Sequence, residues 1–152
     1  MVSKVNLHSL QNVLPTLSLL LVIPLIIYSF IVLTGISTPA DILVPLFTVR
    51  MFSGDEWGVS TADIILSLAL GLLFVEVVKS TRTDAPSIIN HGLSMLVFVF
   101  YLLMFVTLRG FSNSTFFLLT VMQFVDVVAG FTVTIVAAKR DIGGATGIIG
   151  TN

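Results

Sequence analysis

The chain has 152 residues, of which 56% are hydrophobic and only 10% charged, and its mean hydropathy is +1.10. Soluble domains carry about 25% charged residues, so this chain has too few polar side chains to cover a water-exposed surface. It contains no cysteine, which excludes disulfides, thiolate metal sites and cysteine nucleophiles. Its net charge of -1 provides no basic surface for nucleic acid, and it has no glycine-rich phosphate-binding motif.

Four apolar runs have the length that a membrane-spanning helix needs, and they predict one all-α domain over residues 1–142. The fold class predicted is a four-transmembrane-helix bundle. The predicted spans are about 14–34, 60–79, 86–108 and 115–138. Pro24 lies inside the first run and predicts a kink, because a proline removes one helix hydrogen bond. The glycine-rich residues 143–152 predict a flexible C-terminal tail.

The longest connection joins the first two runs and predicts a short interfacial or re-entrant helical segment. Thr38, Pro39 and Asp41 have the order of a helix start, with a capping hydroxyl, a proline and an acid. The apolar piece that follows, 42–52, is too short to span, so we expect it to lie on the membrane surface.

The second predicted helix begins at a capping motif. Ser60 and Asp63 have the S-x-x-D spacing of a capping box, in which each residue satisfies a backbone N–H of the other. Further along the spans, Gly71 and Gly130 are predicted helix-packing positions, since a residue without a side chain lets another backbone approach closely.

A polar stripe runs along the fourth predicted helix, on positions three or four apart that share one face. It consists of Thr120, Gln123, Asp126, Gly130 and Thr134. Asp126 lies near the middle of the run, where a carboxylate is expensive and marks a functional site by default. Its predicted hydrogen-bond partners are Tyr101 first, then Gln123 and Tyr28. In the alternative interpretation, Asp126 is protonated or hydrogen-bonded and only holds helices together.

Glu76 and His91 are a predicted proton-responsive pair. The link between the second and third runs is short, so these runs form an antiparallel hairpin and the two residues lie at similar depth. A carboxylate and an imidazole within reach of each other exchange protons near neutral pH. In the alternative interpretation, Glu76 pairs with Lys79 three residues on, and His91 is an ordinary packing residue.

Basic residues in the short flanks predict the orientation, because they concentrate on the cytoplasmic side. One side carries Lys4, Lys79, Arg82, Lys139 and Arg140, and the other side carries Arg50 and Arg109. This distribution places both termini in the cytoplasm. The short loops and the lack of cysteine favour a bacterial inner membrane.

The predicted function is that of an accessory or interaction subunit of a membrane assembly. Its expected partners are the lipid bilayer and either further copies of the chain or other membrane subunits, and no nucleic acid. The alternative is an oligomeric proton- or cation-coupled channel or carrier that uses Asp126. An enzyme is not expected, because no nucleophile with an adjacent base and no metal-ligand cluster is present. No cofactor or metal is predicted.

Overall fold

The computed structural model describes residues 19–80 and 87–146 as a helical bundle with one small sheet. Its helices in this part of the chain are α1 (Val22–Leu33), α2 (Thr61–Ser80), α3 (Ser87–Thr107) and α4 (Ser114–Thr146). Between α1 and α2 lie a 3-10 turn (Asp41–Leu43) and two strands, β1 (Pro45–Arg50) and β2 (Glu56–Ser60). Both α2 and α3 pack against α4, and α1 packs against α2 and α4.

Helices occupy all four predicted runs, and two of them are long and apolar enough to cross a membrane over their described residues. These stretches are Thr61–Lys79 in α2 and Ser114–Val133 in α4. The described apolar parts of the other two helices, Val22–Leu33 and Gly92–Thr107, are shorter. The start of the first predicted span and the link between α2 and α3 lie outside the described residues.

Within the described residues, the first predicted span opens with a turn at 19–21, and α1 starts at Val22, so that Pro24 lies in its first turn. A proline is tolerated there because the first N–H groups of a helix have no intrahelical partner. Pro24 therefore lies at a helix start and not inside a continuous helix, where a kink was predicted. At the other end of the chain, α4 continues past residue 138 to Thr146, and residues 147–152 lie outside the described part.

The prediction of an interfacial or re-entrant helical segment between the first two helices is wrong. Its only helical part is the 3-10 turn, and an antiparallel hairpin follows. β1 begins with Pro45, a strand position where the missing N–H is tolerated, and continues with aromatic and β-branched residues. The reversal uses Gly54, whose φ of 94° is strained for any residue with a side chain.

Both predicted capping motifs are confirmed. Thr38 donates from its N–H and its hydroxyl to the Asp41 carboxylate at 2.9 and 2.7 Å, and the Asp41 N–H donates back at 3.2 Å. Ser60 and Asp63 repeat this pattern at 2.8, 2.6 and 3.2 Å, so α2 begins where the sequence places it. The hydrogen bonds from Thr38 hold the pKa of the Asp41 carboxyl below its usual range.

An aromatic cluster fills the end of the bundle that carries the hairpin, which we call the hairpin end. The Phe116 ring lies at its centre. The centroid of this ring is 4.8 Å from that of Phe111, 5.0 Å from Tyr28 and 5.4 Å from Tyr101. All four side chains are fully buried. Aromatic pairs at such distances contribute about 0.5–1.5 kcal/mol each beyond their buried area, so the cluster holds α1, α3 and α4 together.

Two glycines differ sharply in their surroundings. A Cβ added to Gly58 in β2 would lie 2.6 Å from Cγ of Pro45, so only glycine allows β1 to approach this closely. A Cβ added to Gly71 would meet nothing within 4 Å in the described chain, and Gly71 is exposed. The predicted packing role of Gly71 is therefore wrong within this bundle, while Gly130 is buried on α4.

We expect Gly58→Ala to lower the free energy of unfolding by about 1–3 kcal/mol, because the rigid Pro45 ring has to move. Gly71→Ala is the matched control and should leave the stability unchanged or raise it by up to about 1 kcal/mol, since alanine favours the helix. Thermal unfolding of both variants in detergent micelles measures the difference. Equal stabilities for the two variants would contradict the close contact between the strands.

Candidate functional site

Two carboxyl groups are buried inside the bundle, Glu76 on α2 and Asp126 on α4. Only 7% of Glu76 and 5% of Asp126 are exposed. The helices that carry them pack against each other. Each carboxyl group accepts a hydrogen bond from a different partner, Glu76 from the Leu20 amide and Asp126 from Gln123.

Glu76 also forms a hydrogen bond to the turn that precedes α1. Its Oε2 accepts a hydrogen bond of 2.8 Å from the backbone N–H of Leu20, in the turn that precedes α1. This amide lies before the helix, where N–H groups lack intrahelical partners. A carboxylate is a strong acceptor for such an amide. Lys79, the partner of Glu76 in the alternative interpretation of the sequence, lies in the last turn of α2.

Gln123 joins Asp126 to α3. Its Nε2 donates to the backbone carbonyl of Ser94 at 3.2 Å and to Oδ2 of Asp126 at 3.4 Å. The predicted contact between Gln123 and Asp126 is thus confirmed, at the long end of the hydrogen-bond range. The side chain is 1% exposed, and its Oε1 has no hydrogen-bond partner among the described residues.

The two tyrosines predicted to hydrogen-bond to Asp126 form hydrogen bonds to other partners through their hydroxyl groups. Tyr101 donates to the backbone carbonyl of Leu21 at 2.7 Å. Tyr28 donates to the carbonyl of Gly110 at 3.1 Å and accepts from Nδ2 of Asn113 at 2.6 Å. A hydroxyl has one hydrogen to donate, and neither tyrosine donates it to Asp126. The Tyr28 hydroxyl ties α1 to the turn between α3 and α4, and the Tyr101 hydroxyl ties α3 to the turn before α1.

His91 belongs to α3, but its side chain lies outside the described part of the structure. The pair of Glu76 and His91 therefore stays a prediction. Among the described residues, no group of three or more histidine, aspartate and glutamate side chains is arranged to hold a metal ion.

Two open hollows lie elsewhere on the described surface. One, of about 390 Å³, is at the turn between α3 and α4 and includes Pro39. The other, of about 410 Å³, lies between α1 and Met104, and its lining is apolar apart from the Ser29 and Thr34 hydroxyls. Neither hollow is lined by Glu76 or Asp126.

The hairpin carries an exposed apolar surface, which we call the hairpin face. Val49 pairs with Trp57 across the strands, and cross-strand partners point to the same side of a sheet. Phe47 lies on this side too, two residues from Val49. These side chains are 40–54% exposed, and Phe52 at the tip is fully exposed. Sequence analysis missed the hairpin, although Ser53-Gly54-Asp55 between two runs of aromatic and β-branched residues is a turn signal.

No family model matches the chain, and no curated protein sequence and no solved structure is significantly similar to it.

We expect Tyr101→Phe to lower the free energy of unfolding by about 0.5–1.5 kcal/mol, because it removes the hydrogen bond to Leu21. The loss should also speed amide hydrogen exchange at the start of α1. Tyr28→Phe is the matched control, since its hydroxyl contacts the turn between α3 and α4. This control should leave exchange at the start of α1 unchanged, and equal acceleration by both variants would contradict the assignment.

Proposed function

We propose that this chain is an integral membrane protein of four spans that acts as an accessory or interaction subunit of a membrane assembly. In this proposal it lies in a bacterial inner membrane with both termini in the cytoplasm. It binds lipid over its flanks and further copies or other membrane subunits at its hairpin end. The role we assign to it is assembly, without catalysis, cofactor or nucleic acid.

The distribution of polarity supports a membrane location. Apolar side chains are widely exposed on the described helices, and Phe74 and Val106 each show 70% of their surface. The interior contains Glu76, Gln123 and Asp126. A soluble protein of this size does not leave so much contiguous apolar surface in water, whereas hydrocarbon solvates it without cost.

Contacts at the hairpin end support spans that cross the membrane in alternating directions. Gly110, in the turn between α3 and α4, accepts from the Tyr28 hydroxyl, and a Cβ added to it would lie 2.8 Å from Cγ1 of Val32. The end of α1 and the turn after α3 are thus at the same end of the bundle. Arg50 and Arg109 lie at this end, and Lys79 lies at the opposite end of α2. This agrees with a cytoplasmic excess of basic residues.

The hairpin face, together with Phe52, is the main support for the interaction role. A two-stranded hairpin is marginally stable by itself in water, and each strand leaves one edge unpaired. The hairpin lies outside the spans, where lipid chains do not cover it. Exposed aromatic side chains of this kind are typical of the centre of a protein interface. We therefore place the contact with the partner on Phe47, Phe52 and Trp57.

A second candidate function is an oligomeric proton- or cation-coupled channel or carrier. Its support is the burial of two carboxyl groups, Glu76 and Asp126, because ionisable groups inside a membrane bundle are common on ion pathways. A flux assay on vesicles containing the wild type or Asp126→Asn distinguishes this function from the first. Transport that depends on pH and disappears in Asp126→Asn would favour it.

We expect Phe52→Ser to reduce the native mass of the assembly toward that of a single chain, because an interface anchor is lost. The double variant Phe52→Ser and Trp57→Ser should do so completely. Native mass spectrometry on complexes extracted from the host with a mild detergent measures the mass. Thr48→Ala is the matched control, since Thr48 lies in β1 on the opposite side of the hairpin.

A wild-type chain that is extracted alone would contradict the interaction role. In that case the fluorescence of Trp57, the only tryptophan, identifies what covers the hairpin face. Quenching by brominated lipid in vesicles would assign the face to the headgroup region of the bilayer.

A further inference from the structure

A groove separates α1 from α3 on the surface of the bundle. Both helices pack mainly against other elements, α1 against α2 and α4 and α3 against α4. They are tied together at two places. The Tyr101 hydroxyl bonds to Leu21 before the start of α1, and the turn at Gly110 lies against Val32 near the end of α1. Between these two contacts the groove is open to the surroundings of the bundle.

The middle of the groove is the hollow of about 410 Å³, which we call the apolar hollow. Its lining includes Leu25, Phe30 and Leu33 on α1 and Met104 on α3. Pockets that hold small molecules have volumes of about 300–1,000 Å³ and mostly apolar walls. In the proposed membrane location α1 is part of a span, so this hollow opens to the hydrocarbon region and suits a hydrocarbon chain.

The other hollow, of about 390 Å³, follows along α3 toward the hairpin end, and we call it the polar hollow. Met104 lines the apolar hollow and Leu108 lines the polar hollow. Residues four apart share one face of a helix and lie one turn from each other, so the two hollows adjoin. The polar side chains in the lining of the second hollow are those of Thr107, Arg109, Ser112 and Asn113.

Arg109 gives the groove a positive charge at one end. Among the described residues that line the two hollows, it is the only charged one. It lies two residues beyond the end of α3, and a residue at that position of a spanning helix is at the level of the lipid headgroups. A guanidinium group binds phosphate oxygens through two parallel N–H bonds. This end of the groove is therefore complementary to a phosphate group.

We propose that the groove between α1 and α3 binds one anionic phospholipid, with its phosphate on Arg109 and one acyl chain in the apolar hollow. The two hollows follow each other in the order in which a phospholipid places its headgroup and chains in one leaflet. The single positive charge favours an anionic lipid, since a zwitterionic headgroup brings a second positive charge close to Arg109. The proposal rests on the membrane location proposed above and is independent of the role of the hairpin face.

Native mass spectrometry of the full chain, extracted in a mild detergent and mixed with defined lipids, tests the site. The wild type should bind one phosphatidylglycerol per chain, more tightly than it binds phosphatidylethanolamine. Arg109→Gln should weaken the binding of phosphatidylglycerol by about tenfold, because a charge-assisted contact is lost. Arg50→Gln is the matched control and should leave binding unchanged, since Arg50 is at the same end of the bundle but lines neither hollow.

Ser29→Phe tests the apolar part of the site. Ser29 lines the apolar hollow, and its hydroxyl has no hydrogen-bond partner among the described residues, so the replacement removes no polar contact. The added ring fills the hollow and should weaken the binding of both lipids. Ile23→Phe adds the same ring at an exposed position of α1 outside the hollow and should leave the binding of both lipids unchanged.

Equal binding of phosphatidylglycerol by the wild type and Arg109→Gln would overturn the proposal, and so would equal binding by the wild type and Ser29→Phe. A dimer that persists with added lipid and that Ser29→Phe dissociates would assign the groove to a second copy and overturn it too. A detergent-extracted chain that binds no lipid would overturn this site alone. A chain recovered from the host without detergent would instead overturn the membrane location, and the site with it.

Discussion

The buried carboxylate of Glu76 imposes the strongest constraint on this bundle. An unpaired charge inside an apolar protein costs several kcal/mol, so the neighbouring helices must provide compensation. The Leu20 amide provides part of it at 2.8 Å, which fixes where α1 begins. The second carboxyl group, Asp126, is held through Gln123, whose amide also bonds to the backbone of α3. Glu76 thus joins α2 to the turn before α1, and Gln123 joins α4 to α3.

The two ends of the bundle have different physical characters. The hairpin end is held by aromatic packing around Phe116 and by the hydrogen bonds of Tyr28 to the turn between α3 and α4. Its exterior carries the exposed hairpin face. Toward the other end, hydrogen bonds of Glu76, Gln123 and Asp126 add to the apolar contacts between helices. The polar contacts inside the bundle and the exposed hairpin face therefore use different residues.

The helices and their starting residues were largely predictable from sequence. Apolar runs located them, and the spacing of Ser60 and Asp63 identified the start of α2 because a capping box is a local motif. The hairpin was not predicted because Pro39 and Asp41, which precede it, also fit a helix start. In the structure they lead only into a single 3-10 turn. The partners of Glu76 and Gln123 on other helices could not be predicted, because they depend on how the helices rotate toward each other. For the same reason Tyr101 was assigned to Asp126 when its hydroxyl reaches the backbone of Leu21.

In the proposed membrane location, the polar face of α4 points inward and its apolar face contacts lipid. The chain has no native cysteine, so single spin labels can be introduced along α4 without background. Labels at Phe117 and Phe124, both about half exposed, should be relaxed by oxygen dissolved in the bilayer and not by a water-soluble nickel chelate. Labels at the buried Leu119 and Val127 should be protected from both. Relaxation of the Phe117 and Phe124 labels by the nickel chelate would contradict the account.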